Sequence, residues 1–268
     1  MDRFEFGDVE LTYEMRGRGE RVVLVHASPF VRWYEPLIER LPTFSVLNYR
    51  RRLRADAGAP FRPLTAAEDA AICARLMEHV GWPTAHVIGH SYGGMVALSL
   101  ALDEGERVRS VALLEPALIG GMPHAEQVTA GLQRVLDVYG AGDKAAAIDA
   151  FLRAVCGDDY RAALDRAVPG AFDEAVAESD VFFQAELPAV RGWSFDPSDA
   201  HRITQPMLDA VGADSPPRIA ERSEVIRSWF PQAEHFSLPH AGHLMMVENP
   251  TAMAQALSNF FSRHPTGD

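Results

Sequence analysis

Residues 85 to 102 read AHVIGHSYGGMVALSLAL, an apolar strand-like run that meets a helix-like run across Gly89, Ser91 and Gly93 in the spacing G-x-S-x-G. No residues are left for a loop, so the chain has to turn from strand to helix almost at a point. Such a turn forces Ser91 into a strained backbone conformation with its hydroxyl exposed above the sheet, and the flanking glycines make room for the bend. The new helix also aims its first N–H groups at the serine, so the Tyr92 N–H is placed to stabilise an oxyanion.

The rest of the chain repeats the strand-then-helix theme. RVVLVHA, FSVLNY, SVALLEP and PMLDAVGA are short continuous apolar runs, as parallel strands covered on both faces require. VELTYEM alternates, as a half-solvated antiparallel strand does, and AEHFSLP is strand-like near the end. Thr65 and Glu68 form a capping-box spacing ahead of Ile72, Leu76 and Val80, with Gly81 as the stop. Asn249 and Pro250 open a last helix whose Met253, Leu257, Phe260 and Phe261 share a face. This alternation predicts a doubly wound, mostly parallel α/β sheet. It breaks after Glu115: DKAAAIDAFLRAV and DEAVAESDVFFQAELPAV are Ala-rich amphipathic segments with no convincing strand among them. The expected organisation is a core of residues 1–118 and 205–268 interrupted by a helical cap at 119–204.

Composition narrows the partners. A net charge of -12 argues against nucleic acid and anionic membranes, and favours a neutral or cationic small molecule. No run approaches a membrane span and the N-terminal residues lack a signal-peptide pattern, so a cytoplasmic location is expected. Cys73 and Cys156 are too few for a disulfide framework and are not spaced as metal ligands. GRGERV lacks the third glycine of a dinucleotide fingerprint, and neither a P-loop nor a zinc signature is present, so no metal or other cofactor is expected.

With the elbow in place, the chain resembles the α/β-hydrolase fold superfamily over nearly its whole length. VVLVHASPF is similar to the family's oxyanion-loop strand, LNYRRRLRADAG to the following strand and loop, and LPHAGHLMMVENP to the segment carrying the catalytic histidine. Ala27, Leu53 and Ala55 stand where the family usually has glycine, which predicts less extended or less mobile loops. The resemblance implies Ser91 as nucleophile, His243 as its base with His240 as competitor, and the Ser28 N–H as second oxyanion donor.

A serine hydroxyl is a weak nucleophile that needs a base, and the base needs a carboxylate to fix its tautomer. Two acids compete. The family's common pattern, G-x-x-D after a later strand, finds Ser215 at the third place from Gly212, with Asp214 one residue short. Glu115 ends the strand next to the serine strand, 24 residues after Ser91 (115 minus 91). Haloalkane dehalogenases with a glutamate acid and zearalenone lactonases place their acid after this strand, and the lactonases resemble GADSP as well.

Phe30, Phe183, Trp193 and Met245 are the candidates for an apolar pocket wall, with Trp193 foremost. The resulting expectation is a Ser91-His243-Glu115 serine hydrolase for a bulky ester or lactone, Asp214 being the alternative acid. C–C bond hydrolysis, perhydrolysis or acyl transfer on the same triad stays open, as does a non-catalytic small-molecule receptor.

Overall fold

The computed structural model describes residues 1–6, 9–53, 61, 63–118 and 125–266, with backbone alone at 51–53 and 220. Eight strands form one sheet in the order β1-β2-β4-β3-β5-β6-β7-β8. They are β1 (Asp2–Phe6), β2 (Val9–Arg16), β3 (Glu20–Val25), β4 (Phe44–Leu53), β5 (Ala85–His90), β6 (Val108–Leu114), β7 (Met207–Gly212) and β8 (Glu234–Leu238). β1 and β2 are antiparallel, as is the β2/β4 pair, and every pairing from β4 through β8 is parallel. This is the α/β-hydrolase arrangement.

The apolar runs become the central strands for the reason their composition suggests. All six residues of β5 are buried, because helices cover both faces and leave no solvated side. The helix Tyr92–Asp103 is buried from Tyr92 to Ala101, so it shows little amphipathic contrast. β1 escaped sequence reading: DRFEF is exposed at four of its five positions, so no buried face imprints an alternation on it.

At Ala66–His79 the capping box forms, Glu68 N–H donating to Thr65 Oγ (3.1 Å) and Thr65 N–H to Glu68 Oε2 (2.8 Å). Between β6 and β7 the described residues contain helices and no strand, the longest being Ala125–Gly140 and Lys144–Cys156. A rare π-helical turn, Phe182–Glu186, breaks their regularity. This segment meets the sheet through Arg50, which pairs with Glu174 and Glu178, and through Arg32, 3.4 Å from Glu174. Partly exposed pairs of this kind contribute about 1 kcal/mol or less each. Burial of large rings, such as Phe30 against Phe182 with centroids 5.6 Å apart, is the stronger attachment.

Register decides where the functional side chains emerge. His90 is paired with Leu114, so the next residues, Ser91 and Glu115, leave adjacent strands at the same level. Leu114 is in turn paired with Ala210, two residues before the end of β7.

Candidate active site

Ser91 sits at φ 52°, ψ −116°, between the end of β5 and the helix Tyr92–Asp103. Its N–H donates to the Leu114 carbonyl (3.0 Å), and its own carbonyl accepts from Gly94 (3.0 Å) and Ala117 (2.9 Å), which pins the elbow to the β6 exit. Gly93 has no alternative: a Cβ there would collide with the Val25 carbonyl oxygen. Ser91, Glu115 (φ 45°) and His240 (φ 55°) are the only non-glycine residues at positive φ among those described. All three lie in the turns that carry the candidate groups, where strain is held by surrounding contacts.

His243 and Glu115 meet in the interior. Nδ1 of His243 donates to Glu115 Oε2 at 2.6 Å, which leaves Nε2 as the acceptor nitrogen. Both side chains are almost fully buried. The other carboxylate oxygen, Oε1, accepts from the Gly212 N–H (2.8 Å) and the Ser215 hydroxyl (2.5 Å). Burial opposes the charge on Glu115, but the hydrogen bond and charge of His243, with Ser215 and Gly212, hold its pKa below the ordinary carboxylate value. Charged hydrogen bonds of this type contribute about 1.5–3 kcal/mol each, against about 1 kcal/mol or less for an exposed pair.

Asp214 is exposed and makes no hydrogen bond to His243; only its N–H is engaged, with the Ala241 carbonyl at 2.9 Å. The segment GADSP therefore braces the Glu115 carboxylate and supplies no hydrogen bond to His243. Ser215, the third place after Gly212, donates to Glu115, and Gly212 lets the histidine turn approach, since a Cβ there would lie 2.6 Å from the Gly242 carbonyl oxygen.

The histidine is held from behind. His90 donates from Nε2 to the His243 carbonyl (3.0 Å) and accepts at Nδ1 from the Tyr34 hydroxyl (2.5 Å). Burial, reinforced by the neighbouring His243, keeps His90 far below the usual histidine pKa, so it stays neutral and keeps that tautomer. Glu248 accepts from the Gly242 N–H (2.7 Å) and fixes the same turn. The link from His90 to His243 spans 153 positions and leaves no local signal in the sequence.

Ser91, Tyr92 and His243 open onto one cavity of about 370 Å³. Its wall is mostly apolar and includes Phe30, Trp33, Phe151, Phe182 and Leu244. Three expected wall residues lie elsewhere. Trp193 stacks on Phe195 (5.1 Å) and points its Nε1 at Ser99 Oγ (3.4 Å), lining a separate surface recess. Phe183 turns into the helical layer against Tyr139 (4.5 Å) while its neighbour Phe182 faces the cavity. Met245 is fully buried core, and Leu244 takes the wall position. One residue of phase separates wall from core in the last two cases, which apolar periodicity does not resolve inside an all-apolar stretch.

The second expected oxyanion donor is also differently engaged. The Ser28 N–H donates to both oxygens of buried Glu186, 3.1 Å each, and the Ser28 hydroxyl donates to the same group at 2.6 Å. Ser28 is thus turned toward the π-helical turn and does not line the cavity. Ala27, in place of the family's glycine, has ordinary extended backbone (φ −69°, ψ 138°), so no glycine is required there. Leu53 ends β4, and Ala55 lies outside the described residues. Among the described residues no His, Cys, Asp or Glu cluster could hold a metal, and no helix is long and apolar enough to cross a membrane.

A strained serine between strand and helix, on a sheet of this order, defines a class of α/β enzymes built around a nucleophile elbow. Residues 22–256 match the alpha/beta hydrolase family, and the chain belongs to that family. Its class is that of a hydrolase. A putative carbamate hydrolase of Azorhizobium caulinodans is 33% identical over 110 residues, 40% of this chain and 42% of that protein, so the match spans less than half of either. The enol-lactonase of Burkholderia xenovorans LB400 superposes with a TM-score of 0.79 at 20% identity, covering 97% of this chain and 100% of that one. An N-acyl homoserine lactone degrading enzyme superposes with a TM-score of 0.72 at 22% identity, again over 97% and 100%. At these identities the two structures speak for the fold.

Proposed function

We propose that the chain is a serine hydrolase that cleaves a carboxylic ester or lactone through a Ser91-His243-Glu115 triad. The observation that carries this reading is the 2.6 Å contact between His243 Nδ1 and buried Glu115, with His243 and Ser91 opening onto the same cavity. The names of the two structural relatives, an enol-lactonase and a lactone-degrading enzyme, agree with it.

In this mechanism Ser91 Oγ attacks the carbonyl carbon while His243 Nε2 takes its proton. The Tyr92 N–H at the helix start stabilises the oxyanion, and Glu115 holds the imidazole tautomer and balances the imidazolium. His243 then returns the proton to the leaving oxygen, and water attacks the acyl enzyme with His243 again as base. Phe30 and Phe182 contact the acyl chain, and the helices of residues 125–200 act as a cap over it.

Labelling with a fluorophosphonate, read by intact mass, tests this without knowledge of the substrate. Wild type should gain one adduct, and Ser91→Ala none. An unlabelled wild type, or a labelled Ser91→Ala, defeats the reading.

A further inference from the structure

The chain as a whole is strongly acidic, at -12. The cavity wall is the opposite. Among the described residues it contains Arg134, Arg218 and Arg222 and no Asp or Glu. An acidic surface repels an anionic ligand over long distances, but a low-dielectric cleft lined by one sign of charge dominates locally.

Arg222 is the residue that demands an explanation. It belongs to the helix Pro217–Trp229, is only 8% exposed, and its side chain makes no hydrogen bond or ion pair among the described residues. Its guanidinium has five donors and no acceptor, and a buried charge of this kind is normally paired or hydrogen-bonded. Glu115 acts on it electrostatically but lies beyond ion-pair distance and is already satisfied by His243, Gly212 and Ser215. Arg218, one turn earlier, lines the same wall and repels Arg222. Burial is the main cause that draws the Arg222 pKa down, to about 10, so it remains a cation at neutral pH. Two like charges on a wall that carries no acid form a site that an incoming anion completes.

Accepting the hydrolase reading above, we infer that Arg222, with Arg218 at its rim, is a subsite for a carboxylate on the substrate. The preferred ester or lactone then has an apolar body against Phe30 and Phe182 and a free acid group reaching Arg222. A planar carboxylate suits the guanidinium fork, which binds it through two parallel N–H donors. The expectation of a neutral or cationic ligand, drawn from net charge, is replaced by one drawn from the wall.

The experiment compares 4-nitrophenyl hydrogen suberate with its own methyl ester, two substrates that differ only in the distant acid. Wild type is expected to favour the free acid in kcat/KM. Arg222→Met should reduce that acid-to-methyl-ester ratio about 100-fold, chiefly through KM of the acid. Arg222→Lys should restore part of the ratio, and Arg218→Gln should lower it less. An acid-to-ester ratio at or below one in wild type overturns the inference, as does an Arg222→Met variant that slows both substrates equally.

Binding separates the two readings. Suberate should raise the melting temperature of wild type more than that of Arg222→Met and Arg222→Lys. If neither ester is cleaved, the hydrolase reading falls while this comparison still decides the subsite. If the methyl ester is cleaved in a Ser91-dependent way and suberate stabilises every variant equally, the hydrolase stands and the subsite falls.

Discussion

The exits of β5 and β6 and the helical wall between Ala125 and Ala200 face the same cavity but obey different rules. At the strand ends, parallel register sets Ser91 and Glu115 side by side, and Gly93 and Gly212 sit where a Cβ would strike backbone. In the wall, Phe182 and Phe183 are both 2% exposed and differ only in which way a helical turn rotates them. Position in a sheet is discrete, since a shift of one residue moves a side chain to the other face. Helical rotation around a packed layer is more forgiving, because large apolar groups can exchange roles at modest cost. In the proposed mechanism the chemistry is mounted on the strand ends, and the specificity on the helices.

The largest expected effect tests the strand-end side. Ser91→Ala should lower kcat/KM for an aryl ester by at least about 10⁴-fold. Glu115→Gln should cost about 10³- to 10⁴-fold, because the His243 tautomer loses its partner, whereas Asp214→Asn should stay within about twofold. If Asp214→Asn is the crippled variant, the acid has been misassigned. Gly93→Ala should lower thermal stability by more than about 3 kcal/mol, or at least about 6 °C in Tm, since backbone cannot yield to the new methyl.

Effects in the wall should be smaller. Phe182→Ala and Phe183→Ala should each destabilise by about 3–5 kcal/mol, but Phe182→Ala alone should shift the preference between long and short acyl chains, by about 10-fold. Equal shifts in both would erase the distinction between wall and core. Trp193→Ala should leave kcat/KM within about threefold, as it lies outside the cavity.

The subtlest test concerns the framework beneath the site. His86, at the start of β5, is hydrogen-bonded to Ser110 (2.8 Å), and burial, partly offset by Glu20, takes its pKa from 6.5 to about 4. Above pH 6.5 both folded and unfolded chains hold it neutral. As pH falls from 6.5 to 4 the unfolded chain takes up a proton that the native state refuses, so stability declines across that window and levels off below it. Urea midpoints at pH 7, 5.5 and 4.5 should show this decline, and His86→Gln should flatten it.

The strand-end region was also the more legible in sequence. Ser91, Tyr92 and His243 stand in short motifs whose backbone consequences are local, and Glu115 was singled out because a strand that ends in an acid is unusual. The supporting role of Ser215 was not legible, since it depends on β6 and β7 becoming neighbours. His90 and Glu186 were missed for the same reason, their partners lying 153 and 158 positions away. In the wall, Phe30 lines the cavity, whereas no pattern separates Trp193, Phe183 and Met245 from core.

Sequence alone determined the alternation of buried strands with helices, the elbow at Ser91, and two competing acids, because steric demands on a short turn and burial on both faces of a strand act within a few residues. Only the tertiary structure brought Glu115 rather than Asp214 into hydrogen-bond contact with His243, turned Ser28 to Glu186, and left Arg222 on a cavity wall without an acid of its own. Those outcomes depend on which atoms come within about 3 Å once distant segments pack, and hydrogen bonding and charge pairing carry no trace of that in linear order.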